Sequence, residues 1–193
     1  MSPKAAGEAL VGPNAVTQLA GVLERRRGAA EARALFAQAG LEGLYAEPPE
    51  AMLPERQAAA LHQALWARLP APEARALAFE AGWETGGYLL AHRIPKRAQG
   101  LLRVLPRPLA LRLLLAAIAR HAWTFAGSGR FLAKAGRETV IEIAANPLAA
   151  GRCTWHGAVF ERLFRALVSP QAVVEEQACC AQGAPACRFL LTL

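Results

Sequence analysis

Residues 173–193 read VVEEQACCAQGAPACRFLLTL. Two β-like runs, residues 173–180 and 187–193, flank a segment that contains Gly183 and Pro185. Apolar runs on either side of a segment with glycine and proline predict a β-hairpin. This hairpin would bring Cys187 back beside Cys179.

The patterns that precede the hairpin complete a β-β-α-β-β order. Residues 130–135 and 139–145 predict two strands joined at Gly136 and Arg137, and residues 155–168 predict a helix. Helical periodicity dominates before position 126, with predicted helices at 13–27, 29–39, 53–69, 73–93 and 108–120. Helices followed by antiparallel strands are typical of the α+β class. We therefore expect N-terminal helices packed on a four-stranded antiparallel sheet.

The chain of 193 residues is long enough for one domain with a well-formed core. We expect residues 1–12 to form a flexible N-terminus and residues 13–193 to form a single domain. Its mainly helical part is 13–125, and its sheet and hairpin part is 126–193. No apolar run is long enough to span a bilayer, and no signal peptide is evident. A cytoplasmic protein with reduced cysteines is the simplest interpretation.

Two of the predicted helices have unusual composition. Gly86 and Gly87 lower the stability of a helix by about 2 kcal/mol relative to two alanines. Either close helix packing or a flat ligand must offset this cost. Helix 108–120 is apolar on nearly every side except at Arg112 and Arg120, so we expect it to be largely buried or to line a cavity.

The high hydrophobic fraction of the chain, 54%, predicts a homodimer. Apolar residues of the first predicted helix are the candidate contact surface: Val16, Leu19 and Leu23.

Charge is distributed unevenly along the chain, which has a net charge of +7 and no aspartate. Residues 85–137 contain ten basic side chains and no acidic one. This concentration of positive charge could attract nucleic acid, acidic lipid or a carboxylated ligand. The alternative is a basic face that only contacts solvent. The motifs of RNA-binding modules and of helix-turn-helix proteins are missing, so we do not expect a nucleic-acid partner. The separate run Arg25–Arg27 precedes Gly28 and is typical of a helix C-terminus.

All four cysteines lie in the last 41 residues, at Cys153, Cys179, Cys180 and Cys187. Thiolates with a nearby carboxylate suit Zn²⁺, although the C-x-x-C spacing of a zinc finger is absent. The alternative is that these are reduced cysteines buried in the core. On a flat strand, spacing alone would pair Glu176 with Cys180, or Glu175 with Cys179.

Glu176-x-x-Cys179-x7-Cys187, preceded by Cys153, resembles the end of the vinyl-4-reductase (4-vinyl reductase) domain family. Sensor domains of phenol-responsive bacterial regulators share this fold, which is grouped with the ligand-binding domains of NO signalling and Golgi transport. The resemblance implies a structural zinc held by Cys153, Glu176, Cys179 and Cys187, with Cys180 outside the set. A bulge or the start of the turn must then lie between Glu176 and Cys179, because they are an odd number of residues apart.

Stand-alone members of this family function in bacteriochlorophyll biosynthesis in purple bacteria. They are named as 4-vinyl (8-vinyl) reductases of a divinyl chlorophyllide or protochlorophyllide intermediate. The chain lacks a G-x-G-x-x-G motif after a strand and a P-loop, and no catalytic residue is predicted. We therefore expect a carrier or accessory protein that binds a Mg-porphyrin and works with enzymes of that branch. The alternatives are a vinyl reductase and a small-molecule sensor module.

A porphyrin with propionate groups requires an apolar slot with basic groups at its mouth. We expect this slot between residues 83–93, residues 108–120 and the sheet. The candidate ligand-binding residues are His92 and His121 as axial ligands, Trp123 for stacking, and Arg93, Arg97 and Arg120 for the propionates. His62 is predicted to be an ordinary, partly exposed residue. His156 is predicted to support the zinc site or to cap its helix.

Overall fold

The structure is a computed structural model that describes residues 8–136 and 138–193. Its helices are α1 Asn14–Arg27, α2 Ala29–Gln38, α3 Glu42–Ala46, α4 Glu55–Arg68, α5 Ala71–Tyr88, α6 Lys96–Val104, α7 Arg107–Arg120, α8 Trp123–Ala126 and α9 Thr154–Leu167. Its strands are β1 Leu10–Val11, β2 Leu53–Pro54, β3 Arg130–Lys134, β4 Thr139–Ala144, β5 Val173–Ala178 and β6 Ala186–Thr192. A π-helical turn, Leu89–Arg93, follows α5, and a 3₁₀ turn, Cys180–Gln182, follows β5.

The four-stranded sheet has the order β3-β4-β6-β5, and every neighbouring pair is antiparallel. Because side chains alternate along a strand, one face is apolar and the other is polar. Ile141 and Phe189 lie on the buried face. Glu142 and Arg188 pair on the opposite face with 3.6 Å between charged atoms. This architecture confirms the predicted α+β class with helices on a four-stranded antiparallel sheet.

Helix α9 lies between the sheet and α5. Its Gly157 and Phe160 side meets the Phe189 ring of β6, with Phe160 and Phe189 ring centroids 5.5 Å apart. Its opposite side, at Trp155 and Arg162, packs against α5. A helix that is buried on two sides needs apolar residues around most of its circumference, as α9 has.

Glycines of α5 allow α5 and α9 to approach closely. A Cβ atom on Gly82 would overlap the Trp155 carbonyl oxygen, and one on Gly86 would lie 2.7 Å from the Arg162 Cβ. A Cβ atom on Gly87 would meet nothing within 4 Å. Close helix packing, one of the two explanations offered for the glycine pair, is therefore confirmed at Gly86, and Gly82 was overlooked.

The N-terminus differs from the prediction that residues 1–12 are flexible. Residues 1–7 lie outside the described residues. Leu10–Val11 pairs with Leu53–Pro54 as a two-stranded sheet, so this part is ordered by backbone hydrogen bonds.

The proposed dimer surface on α1 is also wrong. Val16, Leu19 and Leu23 are fully buried in the core of the chain itself. Helix α1 packs them against neighbouring helices, chiefly α5. They are therefore not available for contact with a second copy.

Prolines begin helices in the region between the predicted helices 73–93 and 108–120. Pro95 precedes α6 and Pro106 precedes α7, and both have extended backbone angles. Proline suits a helix start because the first N–H groups of a helix have no partner in the helix. Helix α6 was not predicted, because the proline before it was not recognised as the start of a helix. The predicted helix 73–93 is α5 followed by the π-helical turn.

Helix α7 is more exposed than its composition indicates. Leu111, Leu114, Leu115 and Ile118 are buried, but Leu109 and Leu113 on the other side are about half exposed. The expectation of a largely buried helix is therefore wrong for one face. Within the described residues, the helices are too short or too polar to cross a bilayer.

Candidate functional site

Three cysteine sulfurs converge where the β5–β6 hairpin meets the start of α9. The ligand atoms of Cys153, Cys179 and Cys187 all lie within 4.8 Å of one another, and the three residues are buried. The Cys179 sulfur is 3.4 Å from that of Cys153 and 4.0 Å from that of Cys187. Cys153 and Cys187 are joined as a disulfide.

The positions of these cysteines follow from the elements around them. Cys153 is the N-cap residue of α9, Cys179 follows β5 directly, and Cys187 is the second residue of β6. The hairpin therefore brings Cys179 and Cys187 together, as the sequence predicted. Cys180 is separate from the cluster, and its sulfur lies 3.9 Å from the Ile143 carbonyl oxygen.

A β-bulge resolves the spacing between Glu176 and Cys179. The β5–β6 register shifts between Glu176 and Ala178, which face Phe189 and Arg188 respectively. The extra residue moves the side chains that follow onto the other face of the strand. The Glu176 carboxylate consequently lies beside the cluster and accepts a hydrogen bond of 3.2 Å from the Cys153 backbone N–H.

The side chain of Asn146 supports the cluster and was not found from the sequence. Its amide nitrogen lies 3.4 Å from the Cys153 sulfur and 3.4 Å from the Cys187 sulfur. Its oxygen accepts a hydrogen bond from the Leu148 N–H. Its burial and its contacts with the two sulfurs depend on tertiary packing, so no local pattern marked this residue.

His156 lies in the same network behind Asn146. Its Nδ1 is 3.5 Å from the Asn146 amide nitrogen, and its Nε2 is 3.2 Å from the Phe125 carbonyl oxygen. Burial lowers the pKa of His156 to about 4. The neutral ring therefore donates from Nε2 to Phe125 and accepts at Nδ1.

Burial, with a smaller contribution from the nearby Glu176 carboxylate, raises the pKa of the Cys179 thiol to about 11. A thiol of this kind is protonated at neutral pH unless a cation replaces its proton. The same environment would favour a bound metal ion, because a dication neutralises thiolates that burial otherwise penalises.

The donor set fits a structural zinc site. A tetrahedral zinc with Zn–S bonds of about 2.3 Å places its sulfurs about 3.8 Å apart, between the two separations measured from Cys179. Asn146 provides donors to two of the sulfurs, as groups around metal ligands commonly do. Binding of a metal by all three thiolates would require the Cys153–Cys187 disulfide to be reduced.

The predicted ligand-binding residues fall into two groups on the surface. The first group lies around the π-helical turn, where the His92 and Tyr88 rings are 4.7 Å apart. The Arg93 guanidinium lies 6.0 Å from the Tyr88 ring centre, and Arg97 is exposed on α6.

The second group lies at the end of α7. Arg120 and His121 are exposed, and the His121 Nδ1 lies 2.9 Å from the Ala117 carbonyl oxygen. Trp123, which follows, is also exposed. Helices α6 and α7, which carry the two groups, are joined by two residues and contact each other. The contacts of the described residues do not join the two groups directly.

The predicted slot is not formed as expected at residues 83–93, because α9 separates α5 from the sheet. Helix α7 still contacts the sheet, at β3. His62 also differs from its prediction as a partly exposed residue. It is buried, and its Nε2 lies 3.0 Å from the Ala15 carbonyl oxygen.

An open groove of about 760 Å³ lies between α5 and α9, and the sequence analysis did not find it. Its floor includes Phe79 and Trp83, whose rings stack with centroids 5.9 Å apart and planes 20° apart. Arg165 lies 5.7 Å from the Trp83 ring centre, and Arg75 also lines the groove. Aromatic and guanidinium groups at helical spacing on two facing helices would have been the signal.

Comparisons with known proteins identify relatives over nearly the full chain. The vinyl-4-reductase domain family matches residues 139–193, which include β4, α9, β5 and β6. The chain is 51% identical to the bacteriochlorophyll synthase 23 kDa chain of Cereibacter sphaeroides, over 94% of this chain and 89% of the relative. It is 46% identical to the protein of the same name from Rhodobacter capsulatus, over 95% of this chain and 87% of the relative.

Solved structures of H-NOX proteins share the fold. The H-NOX protein of K. algicida, in the unliganded Fe(II) state, has a TM-score of 0.63 at 12% identity over 94% of this chain and 96% of its own. The H-NOX protein of S. oneidensis, in the Fe(II)NO ligation state, has a TM-score of 0.56 at 11% identity over 95% and 99% of the two chains. At these identities the likeness establishes the fold alone.

Proposed function

The chain belongs to the family of the bacteriochlorophyll synthase 23 kDa chains and carries a vinyl-4-reductase domain, and we propose that it is a tetrapyrrole-binding accessory protein of bacteriochlorophyll biosynthesis. The observation that carries the proposal is 51% identity to a named chain of this biosynthesis over 94% of the sequence. The relatives are named as one chain of a synthase, so the accessory protein would act together with enzymes of the Mg-porphyrin branch.

The cysteine cluster has a structural role in this proposal. With Glu176 as the fourth ligand, zinc at Cys153, Cys179 and Cys187 would have four protein ligands and no open position for water. The site would join the β5–β6 hairpin to the start of α9. It would therefore hold the ligand-binding surfaces in place without taking part in a reaction.

Two surfaces have the chemistry that a Mg-porphyrin requires, which is a flat apolar contact with basic groups for its carboxylates. The first is made of the two groups of sequence-predicted residues: His92, Arg93 and Arg97 around the π-helical turn and α6, and Arg120, His121 and Trp123 at the end of α7. The contact between α6 and α7 links the two groups. This surface contains the imidazoles that could coordinate the magnesium. The Tyr88 ring beside His92 adds an aromatic contact.

The second surface is the α5–α9 groove. Its volume is within the range of small-molecule sites, and the stacked Phe79 and Trp83 rings offer an aromatic platform. Of its basic groups, Arg165 is paired with Glu161, whereas Arg75 has no carboxylate partner among the described residues. Its lining contains no histidine, and its carboxylates Glu80 and Glu161 are paired with arginines, so binding there would not depend on the magnesium.

Titration of the purified protein with protoporphyrin and with its Mg complex tests the function and the site together. We expect a shifted Soret band and micromolar affinity. If His92 or His121 is an axial ligand, the Mg complex binds more tightly, and His92→Ala or His121→Ala removes that preference. If the groove binds the macrocycle, both porphyrins bind alike.

Substitutions distinguish the surfaces further. Loss of one guanidinium–carboxylate contact weakens binding about ten- to a hundredfold, so Arg120→Ala and Arg75→Ala report on the two sites separately. Arg56→Ala is the matched control, because this exposed arginine lies on α4, which carries no residue of either surface. If the parent protein binds neither porphyrin, the proposed function is wrong. If the protein reduces a vinyl group of the tetrapyrrole when a nicotinamide electron donor is supplied, it is instead a vinyl reductase.

A further inference from the structure

Exposed apolar side chains are concentrated on α6, on α7 and at the start of α8. Among the described residues, nine large apolar side chains are exposed, and five of these lie between positions 101 and 123. They are Leu101, Val104, Leu109, Leu113 and Trp123. Val104 is 80% exposed. We call the exposed sides of α6 and α7 the α6–α7 face.

The apolar residues of α7 form a continuous stripe on its exposed side. Leu109 and Leu113 are four residues apart, and Ala116 and Ala117 continue the same side of the helix. Leu111, Leu114 and Ile118 point into the core on the other side. A helix that is apolar on both sides is expected to be covered on both sides, and this chain covers only one.

The same two helices carry basic residues that have no carboxylate partner among the described residues. Six exposed basic side chains lie on the two helices: Lys96, Arg97, Arg103, Arg107, Arg112 and Arg120. None of the six forms an ion pair with a carboxylate among the described residues. The sequence from 86 to 137 contains no acidic residue at all.

The N-terminal arginines show that unpaired charge is not general in this protein. Arg26 and Arg27 on α1 bind Glu80 and Glu73 on α5 at 2.9 and 2.7 Å. Arg25 also pairs with Glu84. Unpaired positive charge and exposed leucine therefore occur together on the α6–α7 face, while a basic cluster elsewhere is neutralised within the fold.

We propose that the α6–α7 face docks on the surface of an anionic lipid bilayer. Aliphatic side chains between basic ones match the boundary of acyl chains and phosphate headgroups, where leucine and valine enter the apolar layer and guanidinium groups contact the phosphates. The exposed Trp123 next to α7 is of a type enriched at that boundary. The proposal does not depend on porphyrin binding.

A second copy of this chain is a poor occupant for the same surface. A twofold contact would place the six unpaired positive charges of one copy near those of the other. An anionic bilayer removes that repulsion and supplies an apolar layer at the same time.

Flotation with lipid vesicles tests the docking. The parent protein should bind vesicles of equal parts phosphatidylglycerol and phosphatidylcholine, should not bind phosphatidylcholine alone, and should dissociate as salt is raised. Each basic residue that is removed should weaken binding about fivefold. Arg107→Gln with Arg112→Gln, and Val104→Ser with Leu113→Ser, should both lose binding, because these exposed side chains lie on the face.

Matched variants change similar side chains elsewhere. Arg56→Gln removes an exposed arginine of α4, and Val173→Ser removes an exposed valine of β5, and both should float as the parent does. Porphyrin titration without vesicles should be unchanged in Val104→Ser with Leu113→Ser, so the two proposals can fail separately. Three outcomes overturn the docking proposal: no binding to anionic vesicles, equal loss in the control variants, or a dimer in solution that Val104→Ser with Leu113→Ser abolishes.

Discussion

Two histidines are buried in the core and are held neutral there. His62 contacts the backbone of α1 through the Ala15 carbonyl oxygen, and its ring meets the Trp155 ring edge-on with centroids 5.8 Å apart. Burial lowers the pKa of His62 to about 4, and the hydrogen bond to Ala15 offsets this only in part. His156 has a similarly lowered pKa, also caused chiefly by burial.

These histidines make stability depend on pH. An unfolded histidine takes up a proton below about pH 6.5, whereas folded His62 does so only near pH 4. The unfolded state therefore binds more protons between these values, and stability falls as the pH falls from about 6.5 to about 4. The loss reaches about 3 kcal/mol for each histidine.

His62→Gln should reduce this pH dependence by about half, because the amide can still donate to Ala15 but does not titrate. Urea unfolding at neutral pH and at about pH 5 measures the effect. His92→Gln, which changes an exposed histidine, is the control and should leave the dependence unchanged. Equal pH dependence in the parent and in His62→Gln would show that His62 does not cause it.

At the scale of elements, the contact between α5 and α9 sets the position of both helices. Gly82 and Gly86 lie on one side of α5, four residues apart, and allow its backbone to approach α9. Gly87 points to open space. Two adjacent glycines that look equivalent in the sequence therefore have different roles.

Gly82→Ala should destabilise the protein by about 1–3 kcal/mol, since overlap with the Trp155 carbonyl outweighs the gain in helix propensity. Gly87→Ala should stabilise it by up to about 1 kcal/mol, because the new methyl group meets no atom. Chemical denaturation of both variants measures the difference. If Gly82→Ala is as stable as the parent protein, α5 and α9 are less tightly packed than described.

The cysteine hairpin is the second element whose role can be tested. We expect about one zinc per chain in protein purified under reducing conditions without added metal. Cys187→Ser should lose the zinc and lower Tm by roughly 10 °C, since the metal would join the hairpin to α9. Cys180→Ser is the control. It should keep the zinc and the Tm of the parent, because Cys180 lies outside the cluster.

Alkylation followed by mass spectrometry distinguishes the two states of the cluster. Zinc-free protein with a Cys153–Cys187 disulfide under these conditions would contradict the zinc prediction. Glu176→Gln tests the fourth ligand separately, and we expect weaker zinc binding with the fold retained.

At the scale of the whole molecule, charge is sorted between regions. The arginines of α1 are neutralised by carboxylates of α5, whereas the basic residues of α6 and α7 are left without such partners among the described residues. Six basic residues without an ion pair among the described residues thus lie on the two helices that also expose leucine. The homodimer stays a prediction that light scattering can test, and its contact surface cannot be the buried residues of α1.

Much of the fold could be predicted because it depends on local patterns. The change from helical to alternating periodicity near residue 127 located the sheet, and the segment around Gly183 located the hairpin that brings Cys179 and Cys187 together. The odd spacing of Glu176 and Cys179 required a bulge or a turn, and the structure contains the bulge. These features are encoded within a few residues of the chain.

Other features depend on contacts between segments that are far apart in sequence. The periodicity of α7 could not show which of its apolar sides the core covers, and the composition of α4 could not show that His62 is buried against α1. The position of α9 between α5 and the sheet likewise removed the expected slot at residues 83–93. Burial depends on which surfaces pack together. The local sequence shows whether a side chain is apolar or polar, but it does not show which other segment covers that side chain.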